Sequence, residues 1–447
     1  MLRFGTDGVR GDAAADLTSP LVVALGRAVA RVLRSDRVLI GRDPRASGAR
    51  IFGDLALGLT REGVVPVDLG VLPTPAIAFA AAQEALPAAI VSASHNPWTD
   101  NGVKVVGADG RKLRDDVEAA IEHELRALVD APPGVVGEAS DALEASLAES
   151  LPVADAYVDH LLGALAGRRL DGMRIALDCA NGATFEVGPR VFRAAGADVR
   201  VLHAAPDGRN INESCGSTHP SSLQAAVGEH AATLGLALDG DGDRVMAVDE
   251  GGNVVDGDEI MTMIALDLHE RGALPGDAVA VTVMSNLGLR RALDRAGIGV
   301  VETPVGDRHV VAAMQAHGLA LGGEQSGHIV FAAHATTGDG LLTGLLLGDL
   351  VARARAPLSA LAAQMVRVPQ ILVNVRVARR VELDESADVV AAVREAEARL
   401  GAGGRVLVRP SGTEPLVRVM VEADAQSAAE DTAATLRDVV EREFGLA

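Results

Sequence analysis

Aromatic residues and cysteines are scarce in this sequence. Of its 447 residues, 48% are hydrophobic but only 2% are aromatic, so we expect cores filled mainly by Ala, Val, Leu and Ile. The two cysteines, Cys179 and Cys215, are too few for a disulfide framework and are not spaced as metal ligands. A reducing compartment, by default the cytoplasm, is therefore expected.

Positive charge and long apolar runs are also lacking. The formal net charge of -20 argues against general nucleic-acid binding, which depends on clustered Lys and Arg. Apolar segments such as LLTGLLLGDLV from Leu341 are interrupted well before the about 18 residues that a membrane-spanning helix needs. The chain begins MLRFGTDGVRG without an apolar stretch, so we expect no secretory signal, no N-myristoylation and no membrane partner.

A strand-loop-helix pattern occurs three times. In each block a β-rich run leads through a polar loop into an amphipathic helix, then into a second strand that a glycine precedes. The first strands start at Arg37, Arg174 and Ala278, and the third strands with their loops read AAIVSASHNP, LGLALDGDGD and LALGGEQSGH. The pattern predicts three topologically similar α/β/α domains with mixed, mostly parallel sheets. Because open α/β sheets bind ligands beyond their strand ends, we expect the three loops to face one central cleft.

After about residue 366 the pattern changes to βαββα, which predicts a smaller C-terminal α+β domain. ILVNVRV reads as a strand, SADVVAAVREAEARL as a helix, and RVLVRPSGTEPLVRVMVEA as two strands around a tight loop. Ser427 is the expected N-cap of a last helix. The predicted domains are residues 1–150, 151–253, 254–366 and 367–447, with linkers at about 131–152 and 365–370.

The loop DGDGD places Asp239, Asp241 and Asp243 at alternate positions after an apolar strand. Two carboxylates about 4 Å apart repel by roughly 4 kcal/mol at an effective dielectric of 20, so three together require a cation. Oxygen ligands favour Mg²⁺ or a similar ion. An EF-hand would fit Glu250 at its twelfth position, but Arg244 occupies the sixth, where Gly is needed, and a strand precedes the loop. A solvated acidic turn is the other interpretation.

The segment RPSGTEP combines a guanidinium, two hydroxyls and a glycine that allows close backbone approach. These groups belong to Arg409, Ser411, Thr413 and Gly412, and they are the donors that bind a phosphate monoester. Arg418 could close the other side, although a turn with an incidental arginine is the alternative. No GxxxxGK[ST] and no GxGxxG opening a βαβ unit is present, so a phosphorylated metabolite is favoured over a nucleotide.

Three further segments favour an anionic sugar ligand. TDGVRG with Arg10 and GRDPRASG with Arg42 and Arg45 are interpreted as additional anion-reading segments. GEQSGH supplies a carboxylate, a hydroxyl and an imidazole, which suit the hydroxyls of a sugar, although a loop that caps its own backbone is the alternative. These groups belong to Glu324, Ser326 and His328.

SASHNP places Ser94 beside His95. Side chains of neighbouring residues diverge on an extended segment, so we do not expect a Ser-His catalytic pair, and no GxSxG surrounds the serine. Beside an acidic cluster and a phosphate loop, Ser94 is better suited to carry a phosphoryl group whose charge a metal neutralises. His95 would hold the loop or contact the phosphate.

Five motifs in this order resemble the α-D-phosphohexomutase superfamily over nearly the whole chain. They are FGTDGVRG, SASHNP with DNGVK, DGDGDR, GGEQSGH and RPSGTEP. DCANGAT, NINESCGSTHP, VGDR and GEQSGH are similar to the bacterial phosphoglucosamine mutase branch, whereas phosphomannomutase/phosphoglucomutase members more often read GEMSGH.

The resemblance implies an isomerase that interconverts glucosamine 6-phosphate and glucosamine 1-phosphate through glucosamine 1,6-bisphosphate, a step toward UDP-N-acetylglucosamine and the cell wall. Ser94 would be the phosphoserine and would complete an Mg²⁺ site with the three aspartates. Lys104, Arg10 and His95 would act near the phosphoserine, where proton transfer and charge stabilisation are expected. A role of Lys104 as general base would need a neutral amine beside the cation site. Substrate contacts would come from Arg244, Glu324, Ser326, His328, Arg409, Ser411, Gly412, Thr413 and Arg418.

Two other functions remain open on the sequence. The first is a phosphomannomutase/phosphoglucomutase, which only motif style separates from the amino-sugar enzyme. The second is a non-catalytic sugar-phosphate sensor, which would leave the set of Ser94, Lys104 and three aspartates unexplained. The partner expected is a small amino-sugar phosphate, and a homodimer is compatible with the sequence.

Overall fold

The computed structural model describes residues 8–130, 149–379, 381–411 and 415–445. The chain forms two compact units, one of Met1–Met284 with Ile298–Ala363 and one of Ser285–Gly297 with Gln364–Ala447. Most of the predicted linker at 131–152 and two predicted phosphate-loop residues, Gly412 and Thr413, lie outside the described residues.

The first sheet of the larger unit has the order β1-β5-β4-β2-β3-β6. Its strands β2, β3, β4 and β6 run parallel, while β5 pairs antiparallel with β4 and β1. The strands are β1 (Val9–Asp12), β2 (Arg37–Arg42), β3 (Val65–Val71), β4 (Ala88–Val91), β5 (Asp100–Val106) and β6 (Glu149–Ser150). The helices are α1 (Ser19–Leu33), α2 (Gly48–Arg61), α3 (Thr74–Glu84) and α4 (Asp115–Val129).

The second sheet has the order β11-β10-β9-β7-β8, with β7, β8 and β9 parallel and the other two pairings antiparallel. Its strands are β7 (Arg174–Asp178), β8 (Asp198–Leu202), β9 (Leu234–Leu238), β10 (Val245–Val248) and β11 (Val254–Val255). The helices of this region are α5 (Ala154–Gly163), α6 (Val187–Ala194) and α7 (Ser221–Glu229).

The third sheet has the order β13-β12-β14-β15, with only β15 antiparallel to its neighbour. Its strands are β12 (Ala278–Thr282), β13 (Gly299–Thr303), β14 (Leu321–Gly323) and β15 (Ile329–Phe331). The helices are α8 (Gly257–Glu270), α9 (Leu287–Arg295), α10 (Asp307–His317), α11 (Gly340–Ala354) and α12 (Leu358–Ala362). Helix α9 follows β12 along the chain but belongs to the smaller compact unit.

The three sheets share one arrangement of four strands. In each, the second strand of the block, the first strand, the third strand and an antiparallel strand lie side by side: β3-β2-β4-β5, β8-β7-β9-β10 and β13-β12-β14-β15. The central strands are buried on both faces, which explains continuous apolar runs such as AAIV in β4 and LGLAL in β9. The predicted repeat of three similar α/β domains is therefore confirmed.

The smaller unit contains an antiparallel sheet of order β16-β18-β17. Its elements are β16 (Gln370–Arg376), α13 (Ala387–Leu400), β17 (Gly404–Pro410), β18 (Leu416–Ala423) and α14 (Gln426–Phe444). This confirms the predicted βαββα order. The N-cap prediction is wrong, because α14 starts at Gln426 with Ala425 at its N-cap, which places Ser427 inside the first turn.

None of the helices in the described ranges combines the length and the apolar character that crossing a bilayer requires.

Candidate active site

The loops that follow β4, β9 and β14 meet in the larger unit. The Ser94 hydroxyl donates to Asp239 Oδ2 at 2.6 Å, which joins the first loop to the second. Glu324 of the third loop lines the same cavity, which has a volume of about 230 Å³. The cavity is lined by Arg10, Ser94, Lys104, Asp243, Arg244, Val305, Gly306, Asp307, Glu324 and His328. The structure thus brings together predicted site residues that are far apart in sequence.

Ser94 has a left-handed backbone conformation, with φ 51°. Non-glycine residues rarely adopt this conformation, and they hold it where surrounding contacts enforce it. It turns the Ser94 Oγ to within 3.3 Å of His95 Nδ1. The prediction that these side chains diverge is therefore wrong, because it assumed an extended segment.

The two arginines of GRDPRASG are bonded to other groups of the protein. Arg45 has a side chain with 0% exposure, and its donors bind Asp43 and backbone carbonyls of the Ser94 loop. Arg42 pairs with Asp68 at 3.0 Å and lies over the ring of Phe52. The anion-reading interpretation is wrong for Arg45, whose donors are all bonded inside the protein. A bonded guanidinium and a free one look the same in sequence.

The three aspartates of DGDGD converge as a group able to hold a cation. One oxygen from each lies within 4.8 Å of the others, and all three residues are buried. Asp241 Oδ1 and Asp243 Oδ1 are buried and have no hydrogen-bond partner among the described residues. Unsatisfied buried carboxylate oxygens are costly, and a hard divalent ion is the partner that they fit. The loop joins antiparallel strands β9 and β10, so the EF-hand alternative is excluded.

Cationic and hydroxyl groups surround this cluster. Lys104 Nζ lies 3.1 Å from Asp241 Oδ2 and 3.9 Å from Asp243 Oδ2, next to two of the three carboxylates. Thr74, the first residue of α3, donates its hydroxyl to Asp241 Oδ2 at 2.7 Å and its N–H to the Asp241 carbonyl. The positive end of the helix therefore faces an acidic residue.

The three carboxyls differ in acidity. Burial, and then the charges of Asp243 and Asp241, raise the pKa of Asp239 well above its usual range. Burial opposes ionisation of Asp243 as well, but His328, Lys104 and Arg244 hold the pKa of that carboxyl well below its usual range. The protein supplies enough positive charge to ionise Asp243 but leaves repulsion at Asp239, which is where the Ser94 hydroxyl binds.

His95 and Arg244 form the side of the site next to Ser94. Arg244 Nη1 lies 3.3 Å from His95 Nδ1. Because the guanidinium is a donor only, Nδ1 accepts that bond and carries the lone pair. Burial, then Arg244 and Arg10, lower the pKa of His95, which favours the neutral imidazole.

Close packing of the acidic loop against the serine loop requires glycine at position 240. A Cβ at this position would lie 2.5 Å from the Ser94 carbonyl oxygen and 2.8 Å from Asn212 Nδ2. Only glycine lets the DGDGD loop pack this closely against the serine loop. The second glycine, Gly242, has φ 70°, which lets the chain curl so that alternate carboxylates converge.

The GEQSGH loop forms the turn between β14 and β15. Glu324 Oε1 accepts the Gly306 N–H at 3.1 Å, and Ser326 Oγ lies 3.2 Å from Glu324 Oε2. His328 is 3% exposed, with Nε2 accepting the Gly338 N–H at 3.0 Å and Nδ1 3.5 Å from Asp243 Oδ2. The structure therefore places Glu324 and Ser326 together at the cavity, and His328 between this loop and the acidic cluster.

In the smaller unit, Arg409 and Arg418 lie directly opposite each other on β17 and β18. Their Nε atoms are buried, and neither has a hydrogen-bond partner in the part of the chain that the structure describes. Burial and the charge of Arg418 lower the pKa of Arg409. Opposed like charges destabilise a sheet, so this pair favours an anion. Ser411, which is buried directly after β17, donates its N–H to the carbonyl of Leu416, the first residue of β18.

Thr74 and Asn212 are functional-site residues that the sequence did not indicate. Asn212 Nδ2 donates to the carbonyls of Ser94 at 2.9 Å and Asn96 at 3.2 Å. Thr74 binds the Asp241 side chain, and Asn212 binds backbone carbonyls. Neither contact depends on a motif that can be recognised in the sequence. NINESCGSTHP, which contains Asn212, was noted as a motif without a role.

Cys215 lies in a second cluster that its sequence spacing did not indicate. Atoms of Asp178, His203 and Cys215 lie within 4.8 Å of one another. The Asp178 carboxylate accepts the N–H groups of Ala180 and Gly216 and lies 3.1 Å from His203 Nδ1. These contacts brace the loop after β7 against residue 216.

Comparisons with known proteins agree with this architecture. Four family models match in chain order: phosphoglucomutase/phosphomannomutase alpha/beta/alpha domain I at 1–130, domain II at 155–252, domain III at 256–368 and the C-terminal domain at 372–439. The solved structure of a phosphoglucomutase/phosphomannomutase family protein from Burkholderia thailandensis aligns with a TM-score of 0.80 at 26% identity, covering 99% of this chain and 96% of that one. Fold and site thus define the phosphohexomutase class.

Similar proteins of known name indicate the branch of this class to which the chain belongs. The phosphoglucosamine mutase of Frankia alni is 51% identical over 98% of this chain and 97% of the relative. That of Thermobifida fusca is 49% identical over 99% of both chains. The N-acetylphosphoglucosamine mutase of Aspergillus fumigatus, solved with GlcNAc-6P and magnesium, shares the fold with a TM-score of 0.73 at 21% identity, covering 99% of this chain and 96% of that one. The chain belongs to the phosphoglucosamine mutase branch of the phosphoglucomutase/phosphomannomutase family.

Proposed function

We propose that this chain interconverts glucosamine 6-phosphate and glucosamine 1-phosphate, with a phosphoryl group carried on Ser94 and glucosamine 1,6-bisphosphate as the intermediate. The observation that supports this most directly is the 2.6 Å contact between Ser94 and Asp239 inside a cavity that Glu324 also lines. Family membership makes the chain an isomerase, and the named relatives favour the amino sugar.

The reaction proceeds in two balanced transfers. A free hydroxyl oxygen of the sugar monophosphate forms a bond to the phosphorus carried on Ser94, the bond from phosphorus to Ser94 Oγ breaks, and the hydroxyl proton passes to a base. The bisphosphate then reorients, Ser94 Oγ forms a bond to the phosphorus of its other phosphate, the bond from that phosphorus to the sugar oxygen breaks, and the base returns a proton to this oxygen. The net change is the position of the phosphate, so no other reactant is consumed.

The acidic triad fits Mg²⁺, which when bound would neutralise charge on the transferring phosphoryl group. Asp239, Asp241 and Asp243 would hold it, with an oxygen on Ser94. Arg10, Lys104 and Arg244 surround the same cavity and would stabilise the phosphoryl oxygens. The ion pair of Lys104 with Asp241 supports charge stabilisation by Lys104 more than a role as general base.

Other residues hold the sugar. Glu324 and Ser326 would bind sugar hydroxyls, because a carboxylate accepts two hydroxyl hydrogens at once. His95 would contact the phosphate through its neutral ring. The opposed Arg409 and Arg418, with Ser411, Gly412 and Thr413, would bind the phosphate that is not being transferred.

A substrate panel tests the proposed function. We expect kcat/KM for glucosamine 6-phosphate to exceed that for mannose 6-phosphate and glucose 6-phosphate, measured with the purified chain, Mg²⁺ and a catalytic amount of the matching bisphosphate. Faster turnover of mannose 6-phosphate would identify a phosphomannomutase instead. Binding without turnover of any sugar phosphate would identify a sensor.

Replacement of the serine tests the carrier role. We expect Ser94→Ala to lose mutase activity while its circular dichroism matches that of the wild type, because the side chain points into a cavity and supports no core. Intact-protein mass spectrometry is expected to show one phosphate on the wild type and none on the variant. Turnover by Ser94→Ala near the wild-type rate would refute the phosphoserine mechanism.

A further inference from the structure

Arg45 uses all five N–H donors of its guanidinium, four of them on backbone carbonyls between Ser94 and Asp100. Nη2 donates to the Ser94 carbonyl at 2.9 Å and the Asn96 carbonyl at 2.8 Å. Nη1 donates to the Asp100 carbonyl at 3.0 Å and to the Pro97 carbonyl. Nε donates to Asp43 Oδ2 at 2.9 Å. Arg has five N–H donors in a fixed planar fork, and all five are used.

Asp43, the ion-pair partner of Arg45, is also connected to the Ser94 loop through the Ser92 hydroxyl. Asp43 Oδ2 accepts the Ser92 hydroxyl at 2.6 Å, and Ser92 Oγ accepts the Ser94 N–H at 3.0 Å. Both sides of the Ser94 peptide backbone, its N–H and its carbonyl, are therefore fixed from one buried ion pair whose two side chains have 0% exposure. All four residues of this connection lie in the loops that directly follow β2 and β4.

Asn212 supports the same carbonyls from the second domain. Its Nδ2 donates to the Ser94 and Asn96 carbonyls, so each of these two oxygens accepts one bond from Arg45 and one from Asn212. A carbonyl oxygen has two lone pairs, so both are then saturated. The turn cannot relax to the extended conformation without breaking several buried hydrogen bonds.

The backbone conformation explains why such support is needed. Ser94 has φ 51°, a conformation that costs a non-glycine residue about 1 to 3 kcal/mol and persists only when contacts enforce it. In this conformation the Ser94 Oγ points at Asp239 and the cavity. In an extended conformation the side chain would point away from that direction.

We propose that Arg45, assisted by Asn212, is a positioning residue for the phosphoryl transfer: it fixes the left-handed turn that aims Ser94 Oγ at the acidic cluster. The inference rests on the proposed function of Ser94. Arg45 contacts neither the cavity nor the acidic cluster in the described contacts, so its effect is transmitted through the loop backbone.

The test compares Arg45→Lys with Arg42→Lys. Lysine keeps the charge beside Asp43 but has three donors from one atom and cannot reach four carbonyls. Because a misplacement of about 1 Å costs up to about 100-fold in rate, we expect kcat of Arg45→Lys to fall about ten- to a hundredfold, with KM for glucosamine 6-phosphate changed less than about threefold. Arg42→Lys, in the same segment but with a partly buried side chain paired to Asp68, should keep both constants.

Asn212→Ala provides a second variant that does not disturb the buried ion pair. We expect a smaller fall in kcat at constant KM, and faster loss of phosphate from Ser94 to water, followed by intact-protein mass spectrometry. Wild-type kcat per folded molecule in Arg45→Lys, or in Asn212→Ala if Arg45→Lys does not fold, would overturn the inference, even if the melting temperature fell. A wild type with neither mutase activity nor phosphate on Ser94 would instead overturn the proposed function.

Discussion

At the scale of single residues, His328 links the sugar loop to the acidic cluster. Because Nε2 accepts the Gly338 N–H, the ring proton is on Nδ1, which faces Asp243 at 3.5 Å. The side chain was predicted as a substrate contact, and its burial adds an effect on the orientation and charge of Asp243.

Replacing His328 should weaken the metal site. We expect His328→Ala to raise the Mg²⁺ concentration needed for half-maximal activity about ten- to a hundredfold, as is found when the partner of a metal-binding group is removed. His328→Asn, which keeps a donor near the Nδ1 position, should be affected less. The measurement is mutase activity against Mg²⁺ concentration after chelator treatment. Full activity of the treated wild type without Mg²⁺ would contradict the metal site itself.

Some single-residue features were readable from the sequence and others were not. The alternate spacing of Asp239, Asp241 and Asp243 predicted their convergence, since a curled loop with glycines allows little else. The contact of Ser94 with His95 depends on the sign of one φ angle, which no residue type at position 94 reveals. The burial of Arg45 depends on carbonyls about 50 residues away in sequence, so its partners could be found only in three dimensions.

At the scale of elements, helix ends hold the acidic loop in place. The N-terminus of α3 contacts Asp241 through Thr74, and the Gly340 N–H at the start of α11 donates to the Gly242 carbonyl. Asp339 caps α11 by accepting the Leu342 N–H at 2.9 Å, and the Tyr157 hydroxyl donates to its other oxygen at 2.8 Å. The strand-loop order of the sequence predicted where the site loops are, but not which helix ends support them.

The Asp339 cap makes the stability of the larger unit depend on pH. Burial raises the pKa of Asp339 from 3.8 to about 6, so the folded state favours the protonated acid. This contribution to the free energy of unfolding is fully present below about pH 4 and is lost as the pH rises through about 6, a change of about 3 kcal/mol at 1.4 kcal/mol per unit. The melting temperature of the wild type relative to Asp339→Asn should fall between pH 4 and 7.

Asn at position 339 is a matched control because it does not titrate: its carbonyl oxygen can accept the Leu342 N–H, and its NH2 group can donate to the Tyr157 hydroxyl oxygen. Comparing the two proteins at each pH removes the contributions of all other groups. A difference in melting temperature that stays constant across this range would mean that Asp339 ionises normally in the folded protein.

At the scale of the whole molecule, one strand arrangement is used three times with different chemistry. The loops after β4, β9 and β14 carry a serine, an acidic triad and a carboxylate with a hydroxyl. The sequence predicted this because each block repeats the same order of strands, loops and helices. It did not predict that residues 285–297, which include α9, belong with the C-terminal unit, since their position along the chain places them in the third block.

The C-terminal unit is expected to contribute substrate binding through its opposed arginines. Because each charge-assisted hydrogen bond is worth about 1.5 to 3 kcal/mol, Arg409→Met and Arg418→Met should each raise KM for glucosamine 6-phosphate about ten- to a hundredfold. Neither variant should have a lower melting temperature, because removing one of two opposed like charges relieves repulsion in the sheet. Arg437→Met, on the exposed face of α14 and paired with Asp438, is the matched control and should leave KM unchanged. Wild-type KM in both arginine variants would mean that this loop does not bind the phosphate, and a fall in melting temperature without a change in KM would show that the pair stabilises the sheet instead.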